Sequence, residues 1–226
     1  MKTTVIIPAA GASTRMGGID KVTLLLNNKP IFEYILDAFV HHEKIHEIII
    51  ATTSKIRSIL EVSEEVKRIK KFFPLKIILG GNTRQATVYA ALQAATNDII
   101  LVHDMARPLV TTKIIDDILE QVLMGKCAVS GVPSKDTIKI VDNDNKIIST
   151  PARENLWLVH TPQGFSAEIL RKAHKQAIID NFLGTDDATL VERLGEPVYM
   201  ILGDYSNIKV TTEEDIAVAE RFLGNL

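Results

Sequence analysis

The stretch Thr4-Val5-Ile6-Ile7-Pro8-Ala9-Ala10-Gly11-Ala12-Ser13-Thr14-Arg15-Met16-Gly17-Gly18-Ile19-Asp20-Lys21 decides the fold. A short β-branched apolar run, 4–7, passes straight into a loop of small residues that carries two cations, Arg15 and Lys21. Apolar runs of this length read as buried strands. The same kind of run recurs at 48–51, 76–79 and 99–102, and amphipathic stretches such as 31–42 and 112–123 separate them. That alternation predicts βαβ units around a mostly parallel sheet, an α/β class. In 31–42, Ile31, Tyr34, Ile35, Ala38 and Phe39 share one helical face after a Lys29-Pro30 start signal. The charged segment 61–71, with Val62, Val66 and Ile69 at helical spacing, predicts a solvated helix.

The chain has 226 residues, enough for a sizeable core in one domain spanning 1–226, with no repeat or linker to divide it. Its 26 basic and 28 acidic residues leave a formal charge of -2, which provides no broad field for nucleic acid or an anionic membrane. Phosphate chemistry would need local cations. Cys127 is the sole cysteine and reads as a buried structural thiol. No apolar run approaches about 18 residues and Met1 leads directly to a strand, so a cytoplasmic, membrane-free protein is expected. Segment 137–157 departs from the α/β rhythm. Thr137-Ile138-Lys139-Ile140-Val141 alternates at period two and 142–146 is rich in turn formers, which predicts a β-hairpin arm.

Five constellations carry candidate chemistry. In the first, small residues at a strand's carboxyl end let backbone N–H groups approach a phosphate, the usual ligand position of open α/β sheets. The lysine comes ten residues after Gly11, so neither the Gly-x-Gly-x-x-Gly nor the P-loop pattern applies. A plain strand-to-helix turn is the alternative. The second, Gly80-Gly81-Asn82-Thr83-Arg84-Gln85-Ala86-Thr87, pairs glycines with a hydroxyl and reads either as a base or ribose contact or as a helix N-terminus with an exposed Arg84. In the third, His103-Asp104-Met105-Ala106-Arg107, a carboxylate ends a strand where it could share Mg²⁺ with substrate phosphates, or could pair with Arg107. The six histidines lack metal-ligand spacing, which argues against zinc. In the fourth, Thr185-Asp186-Asp187-Ala188, the acidic residues could bind metal or cap a helix, and capping explains one Asp but not Thr185 as well. In the fifth, Asn207-Ile208-Lys209-Val210, Lys209 sits in a strand-like segment and points either to solvent or into a cleft, while Thr212 with Asp215 predicts a helix cap.

Taken in this order, and joined by Asp136-Thr137 with Lys139, Arg153 with Leu156-Trp157, and Thr161-Pro162-Gln163, these segments resemble the methylerythritol phosphate cytidylyltransferases over almost the whole chain. The resemblance implies a three-layer Rossmann-like nucleotidyltransferase fold. It also implies transfer of CMP from CTP to 2-C-methyl-D-erythritol 4-phosphate, with Mg²⁺ as cofactor. It assigns catalysis to Arg15, Lys21, Arg153 and Lys209. Nucleotide contacts fall to Ala9, Ala10, Gly11, Gly80, Gly81, Thr87, Asp104 and Met105, with Asp104 also on the metal. Arg107, Thr137, Arg153, Thr185 and Lys209 would hold the acceptor. The arm would bring Thr137 and Arg153 into the site of a second subunit, making a homodimer. Thr87 replaces the family's usual serine and preserves its hydroxyl. Ser13 and Thr14 replace a glycine and a basic residue, and Asp20 and Val22 flank Lys21 in place of proline and glutamine. A cytidylyltransferase for a pentitol phosphate such as ribitol 5-phosphate is the nearest rival. A silent nucleotide-binding module, motivated by Asp20, is a rival of another class.

Overall fold

A computed structural model describes residues 1–10 and 21–224. The strands are β1 (Thr3–Ala9), β2 (Leu25–Leu26), β3 (Lys29–Pro30), β4 (Glu47–Thr52), β5 (Leu75–Leu79) and β6 (Ile99–Val102), then β7 (Cys127–Pro133), β8 (Ile140–Val141), β9 (Ile147–Ser149), β10 (Trp157–Ser166) and β11 (Val198–Leu202). The helices are α1 (Ile31–Val40), α2 (Ser54–Val62), α3 (Glu64–Ile69), α4 (Arg84–Ala94), α5 (Thr112–Leu123), α6 (Ala167–Ile179), α7 (Asp187–Arg193) and α8 (Glu213–Leu223). Among the described residues, seven strands form the main sheet in the order β11-β7-β10-β6-β1-β4-β5. β1 runs parallel to β4 and β6, β4 to β5, and β11 to β7, while β10 is antiparallel to both neighbours. The sheet is mostly parallel, as the alternation predicted.

Period-two geometry sends successive strand residues to opposite faces, and both faces are apolar. Val5 and Ile7, Ile48 and Ile50, and Ile99 and Leu101 pack on one side with α1, α2, α3 and α5. Ile6, Ile49 and Ala51, and Ile100 and Val102 pack on the other with α4, α6 and α7. Helices on both faces make three layers. Gly164 of β10 sets one of these distances, because a Cβ there would lie 2.6 Å from Ile118 Cγ2 and 2.8 Å from Val122 Cγ2. α5 therefore lies directly on the strand backbone.

Local signals fix the ends. Thr83 accepts from Ala86 N–H at 3.0 Å and starts α4, and Thr212 with Asp215 forms the expected capping box of α8. Segment 61–71 is not one helix. Ser63 accepts from Val66 N–H and caps a new start, so α2 and α3 are separate. The expected strand around Lys209 is also absent: 207–211 is irregular chain outside the sheet, tied by Val210 N–H to the Ala106 carbonyl at 2.8 Å. The arm forms a shorter ladder than the alternation over 137–141 predicted. β8 pairs with β9 alone, and Asp142 accepts the N–H groups of Asp144 and Lys146 across the turn. Cys127 is buried in β7. No helix among the described residues is long and apolar enough to cross a membrane.

Candidate active site

β1, β5 and β6 deliver their loops to one edge of the sheet. A Cβ on Gly80 would stand 2.9 Å from Ala10 Cβ and 2.8 Å from Thr87 Cγ2. The turn after β5 thus reaches over to the end of β1, and Ala9, Ala10, Gly80 and Gly81 come together. Thr87 is buried in α4, donates to the Thr83 carbonyl at 2.7 Å and accepts from Gly81 N–H at 3.2 Å. Its hydroxyl thus shapes the glycine turn. Met105 likewise sends its side chain into the core and leaves only backbone for a ligand. Lys21 opens a 3-10 turn, Lys21–Thr23. Its side chain, together with Gly11, Arg15 and Asp20, lies outside the described residues.

Beside this edge lies a cavity of about 470 Å³ whose wall includes Arg84, Asp104, Arg107, Thr185 and Lys209. Asp104 follows β6 and is nearly enclosed. Arg84 Nε reaches its Oδ1 at 3.2 Å and Lys209 Nζ its Oδ2 at 2.7 Å. Burial opposes the charge, but Arg84 and Lys209 outweigh it and hold the carboxyl well below the usual carboxylate range. The expected alternative of an Asp104–Arg107 ion pair is therefore corrected. Arg107 turns away and donates to the Asn207 carbonyl at 2.8 Å and the Val159 carbonyl at 3.4 Å. Lys209 faces the cleft, and its partner is the carboxylate at the end of β6.

Arg84 is not the exposed residue of a bare helix N-terminus either. Its Nη1 donates to Asp187 Oδ2 at 2.7 Å, and Asp187 is held from behind by His174 Nε2 at 3.0 Å. The two acidic residues of 185–188 divide the work. Asp186 caps α7 by accepting from Thr189 N–H at 2.9 Å, and Asp187 anchors Arg84. Gln85 and Gln163 pin the same loop, with Gln85 Oε1 accepting from Gly184 N–H at 2.9 Å and Gln163 Nε2 donating to Asp186 at 2.7 Å. Thr185 is thereby set at the cavity wall.

His103 is a structural residue. Its Nε2 lies 3.0 Å from the Arg107 carbonyl, which can only accept, so Nε2 carries the proton and Nδ1 accepts from Thr161 Oγ1 at 3.1 Å. Thr161 Oγ1 in turn accepts from Asp104 N–H at 3.0 Å. Burial pushes the imidazole pKa down to about 4, which keeps it neutral in this relay. Thr137 and Arg153 do not reach the cavity of their own chain. They lie exposed at the base of the arm, where Arg153 Nη1 donates to the Lys135 carbonyl at 3.2 Å.

The donor set fits a hard dication held jointly with a ligand. Asp104 supplies an ionised carboxylate at the cavity wall, and no group of three or more His, Cys, Asp or Glu among the described residues could hold a metal alone. Mg²⁺ takes one or two carboxylates and completes its shell with phosphate and water. Arg84, Gln85 and Gln163 stand in the quoted motifs and His174 among the histidines weighed against zinc, but the sequence assigns none of them these contacts. Thr83 at a helix cap before an arginine is the one local signal available. The rest depends on contacts far apart in sequence.

The family model described as IspD, 2-C-methyl-D-erythritol 4-phosphate cytidylyltransferase, matches residues 3–225. The enzyme of that name from Caldanaerobacter subterraneus subsp. tengcongensis is 45% identical over 229 residues, covering 99% of each chain. Its counterpart from Bacillus thuringiensis is 44% identical over 222 residues, 97% of each chain. Among solved structures, the 2-C-methyl-D-erythritol 4-phosphate cytidylyltransferase of Thermus thermophilus superposes with a TM-score of 0.81 at 32% identity over the full length of both chains. The 4-diphosphocytidyl-2C-methyl-D-erythritol synthase of Anaerococcus prevotii reaches 0.84 at 28% identity, covering 99% of this chain and 98% of that one. With the family model and these relatives spanning nearly its whole length, the chain belongs to the 2-C-methyl-D-erythritol 4-phosphate cytidylyltransferase family.

Proposed function

We propose that this protein works as a single domain that transfers CMP from CTP to 2-C-methyl-D-erythritol 4-phosphate, giving the 4-diphosphocytidyl product and pyrophosphate. The observation that carries the reading is the meeting of Asp104, Arg107, Thr185 and Lys209 on one cavity beside the Ala10–Gly80 approach. In the reaction an oxygen of the acceptor phosphate bonds to the α-phosphorus of CTP. The bond from that phosphorus to the bridging oxygen breaks, and its electron pair leaves on pyrophosphate. The nucleophile is already anionic, so orientation and charge stabilisation matter more than a general base.

In this reading the backbones of Ala9, Ala10, Gly11, Gly80, Gly81 and Met105 enclose the nucleotide, with Thr87 fixing the turn. Arg15 and Lys21 stabilise charge on the α-phosphate. Arg107, Thr185 and Lys209 hold the acceptor, and Lys209 exchanges the Asp104 carboxylate for the acceptor phosphate. Asp104 holds Mg²⁺, which supplies charge neutralisation on the triphosphate when bound.

The arm argues for a homodimer. Ile138, Ile140, Val141, Ile147 and Ile148 are all exposed, and a two-stranded ribbon wet on both faces is marginal by itself. A second copy covering it would bring Thr137 and Arg153 to the neighbour's acceptor site. The cytoplasm is the proposed location.

Pyrophosphate release measured with CTP and each acceptor tests the reaction. Turnover should favour methylerythritol phosphate, and a wide advantage for ribitol 5-phosphate would reject the acceptor assignment. Arg15→Ala and Lys21→Ala should keep CTP binding and lose turnover. Mg-dependent CTP binding by the unaltered chain without turnover of any polyol phosphate would mark a silent module.

A further inference from the structure

β10 carries an irregularity beside the cavity. Val159 pairs with Gly131 and Gln163 with Val129, so residues 160–162 stand opposite the single residue Ser130. In a regular strand consecutive side chains point to opposite faces. Here Val159, His160 and Thr161 all line the same cavity, as a bulge next to a site permits.

His160 is 9% exposed, and its Nδ1 is enclosed with no hydrogen-bond partner among the described residues. Nε2 is thus the ring nitrogen available to a ligand in the cavity. A proton on Nδ1 would bury an N–H without an acceptor, which native structures avoid more strictly than an unfilled lone pair. The ring therefore carries its proton on Nε2. Burial, and then the charge of Arg107, push its pKa down to about 4, so the imidazole is neutral near pH 7. Arg107 and Lys209 line the same cavity and are the cations there for a phosphate to meet. The neutral N–H beside them suits an uncharged oxygen.

We propose that His160 determines acceptor specificity, its Nε2–H donating to a hydroxyl oxygen of the polyol phosphate. This rests on the reading above that the acceptor occupies this cavity. Sites that hydrogen-bond a substrate hydroxyl reject analogues lacking it, because their own polar group is then left unpaired.

Steady-state kinetics of pyrophosphate release, varying methylerythritol phosphate and CTP separately, tests it with His160→Phe, His160→Gln and Lys209→Met. His160→Phe keeps the ring and removes the donor, and should raise the acceptor KM about fivefold to tenfold. The CTP KM should stay within twofold of the parent. His160→Gln retains a donor and should recover at least half of the loss. An acceptor KM within twofold in His160→Phe, equal rises in both KM values, or a glutamine variant as impaired as the phenylalanine variant would each overturn the inference. If Lys209→Met alone raises the acceptor KM, His160 has no such role while the placement of the acceptor stands. If neither variant changes it, both fail.

Discussion

Arg84→Met removes the cation shared by two enclosed carboxylates while keeping most of the aliphatic stem. Arg84 reaches Asp187 at 2.7 Å and Asp104 at 3.2 Å, and Asp187 is 1% exposed. Deleting one partner of a buried pair costs about 3–5 kcal/mol. Asp187 keeps His174 at 3.0 Å and Asp104 keeps Lys209 at 2.7 Å, so the low end applies, about 3 kcal/mol near neutral pH. That is a large part of a typical stability of about 5–15 kcal/mol. The pH dependence has a definite sign. In the parent both carboxyls are held below their ordinary values, so their stabilisation is complete above about pH 4 and is lost as pH falls through the folded values. In the variant, burial without Arg84 raises the Asp187 pKa, and protonation relieves the unpaired charge. The gap between parent and variant should therefore narrow on going from about pH 7 to about pH 4.5. Urea unfolding at fixed protein concentration measures it, with Asp187→Asn closing a double-mutant cycle whose coupling should be about 1–3 kcal/mol. A gap under about 1 kcal/mol at neutral pH, a gap that widens in acid, or zero coupling would refute the reasoning.

Gly80→Ala sets a Cβ 2.8 Å from Thr87 Cγ2 and 2.9 Å from Ala10 Cβ, so the contact between the glycine turn, Thr87 and Ala10 must open. CTP affinity by calorimetry should fall about tenfold with the fold intact, in line with ordinary overpacking costs; unchanged affinity would show that Ala10 is not part of the nucleotide wall. Thr161→Val leaves the Asp104 N–H and the His103 ring without their shared partner. It should cost about 1–3 kcal/mol in thermal unfolding, and Thr161→Ser should restore most of it.

The layers were legible because strand and helix periods differ. Val5, Ile6 and Ile7 alternate between two cores, and a run apolar at every position means burial on both sides. Loop positions were legible for the same reason, since small residues directly after such runs lie at the sheet's edge. Pairing was not. Arg84 and Asp187 are 103 residues apart, and nothing local to either names the other. The strand expected at Lys209 failed because Ile-Lys-Val has strand propensity but no strand beside it among the described residues, and the segment makes a single backbone bond to Ala106 instead. His160 was invisible because its direction depends on a bulge, and a shift of register turns every later side chain to the other face.

The cavity's charges set what else the proposed reaction needs. Its described lining residues include the cations Arg84, Arg107 and Lys209 and the carboxylates Asp104, Asp186 and Glu192. Cations and carboxylates balance, so the wall as described offers an incoming polyanion no net attraction. A phosphomonoester alone carries about −1.5 to −2 near pH 7, and a triphosphate carries more. Two such ligands cannot be drawn within bonding distance of each other by a neutral wall. The Mg²⁺ proposed at Asp104 would supply part of the further positive charge, and the sequence carries cations at Arg15 and Lys21 in the first loop and at Arg153 on the arm. Arg153 sits exposed at the arm's base, its Nη1 on the Lys135 carbonyl, and in the proposed homodimer its guanidinium would serve the neighbouring copy. A formal charge of -2 leaves the chain without a basic surface, so two anionic substrates depend on local cations.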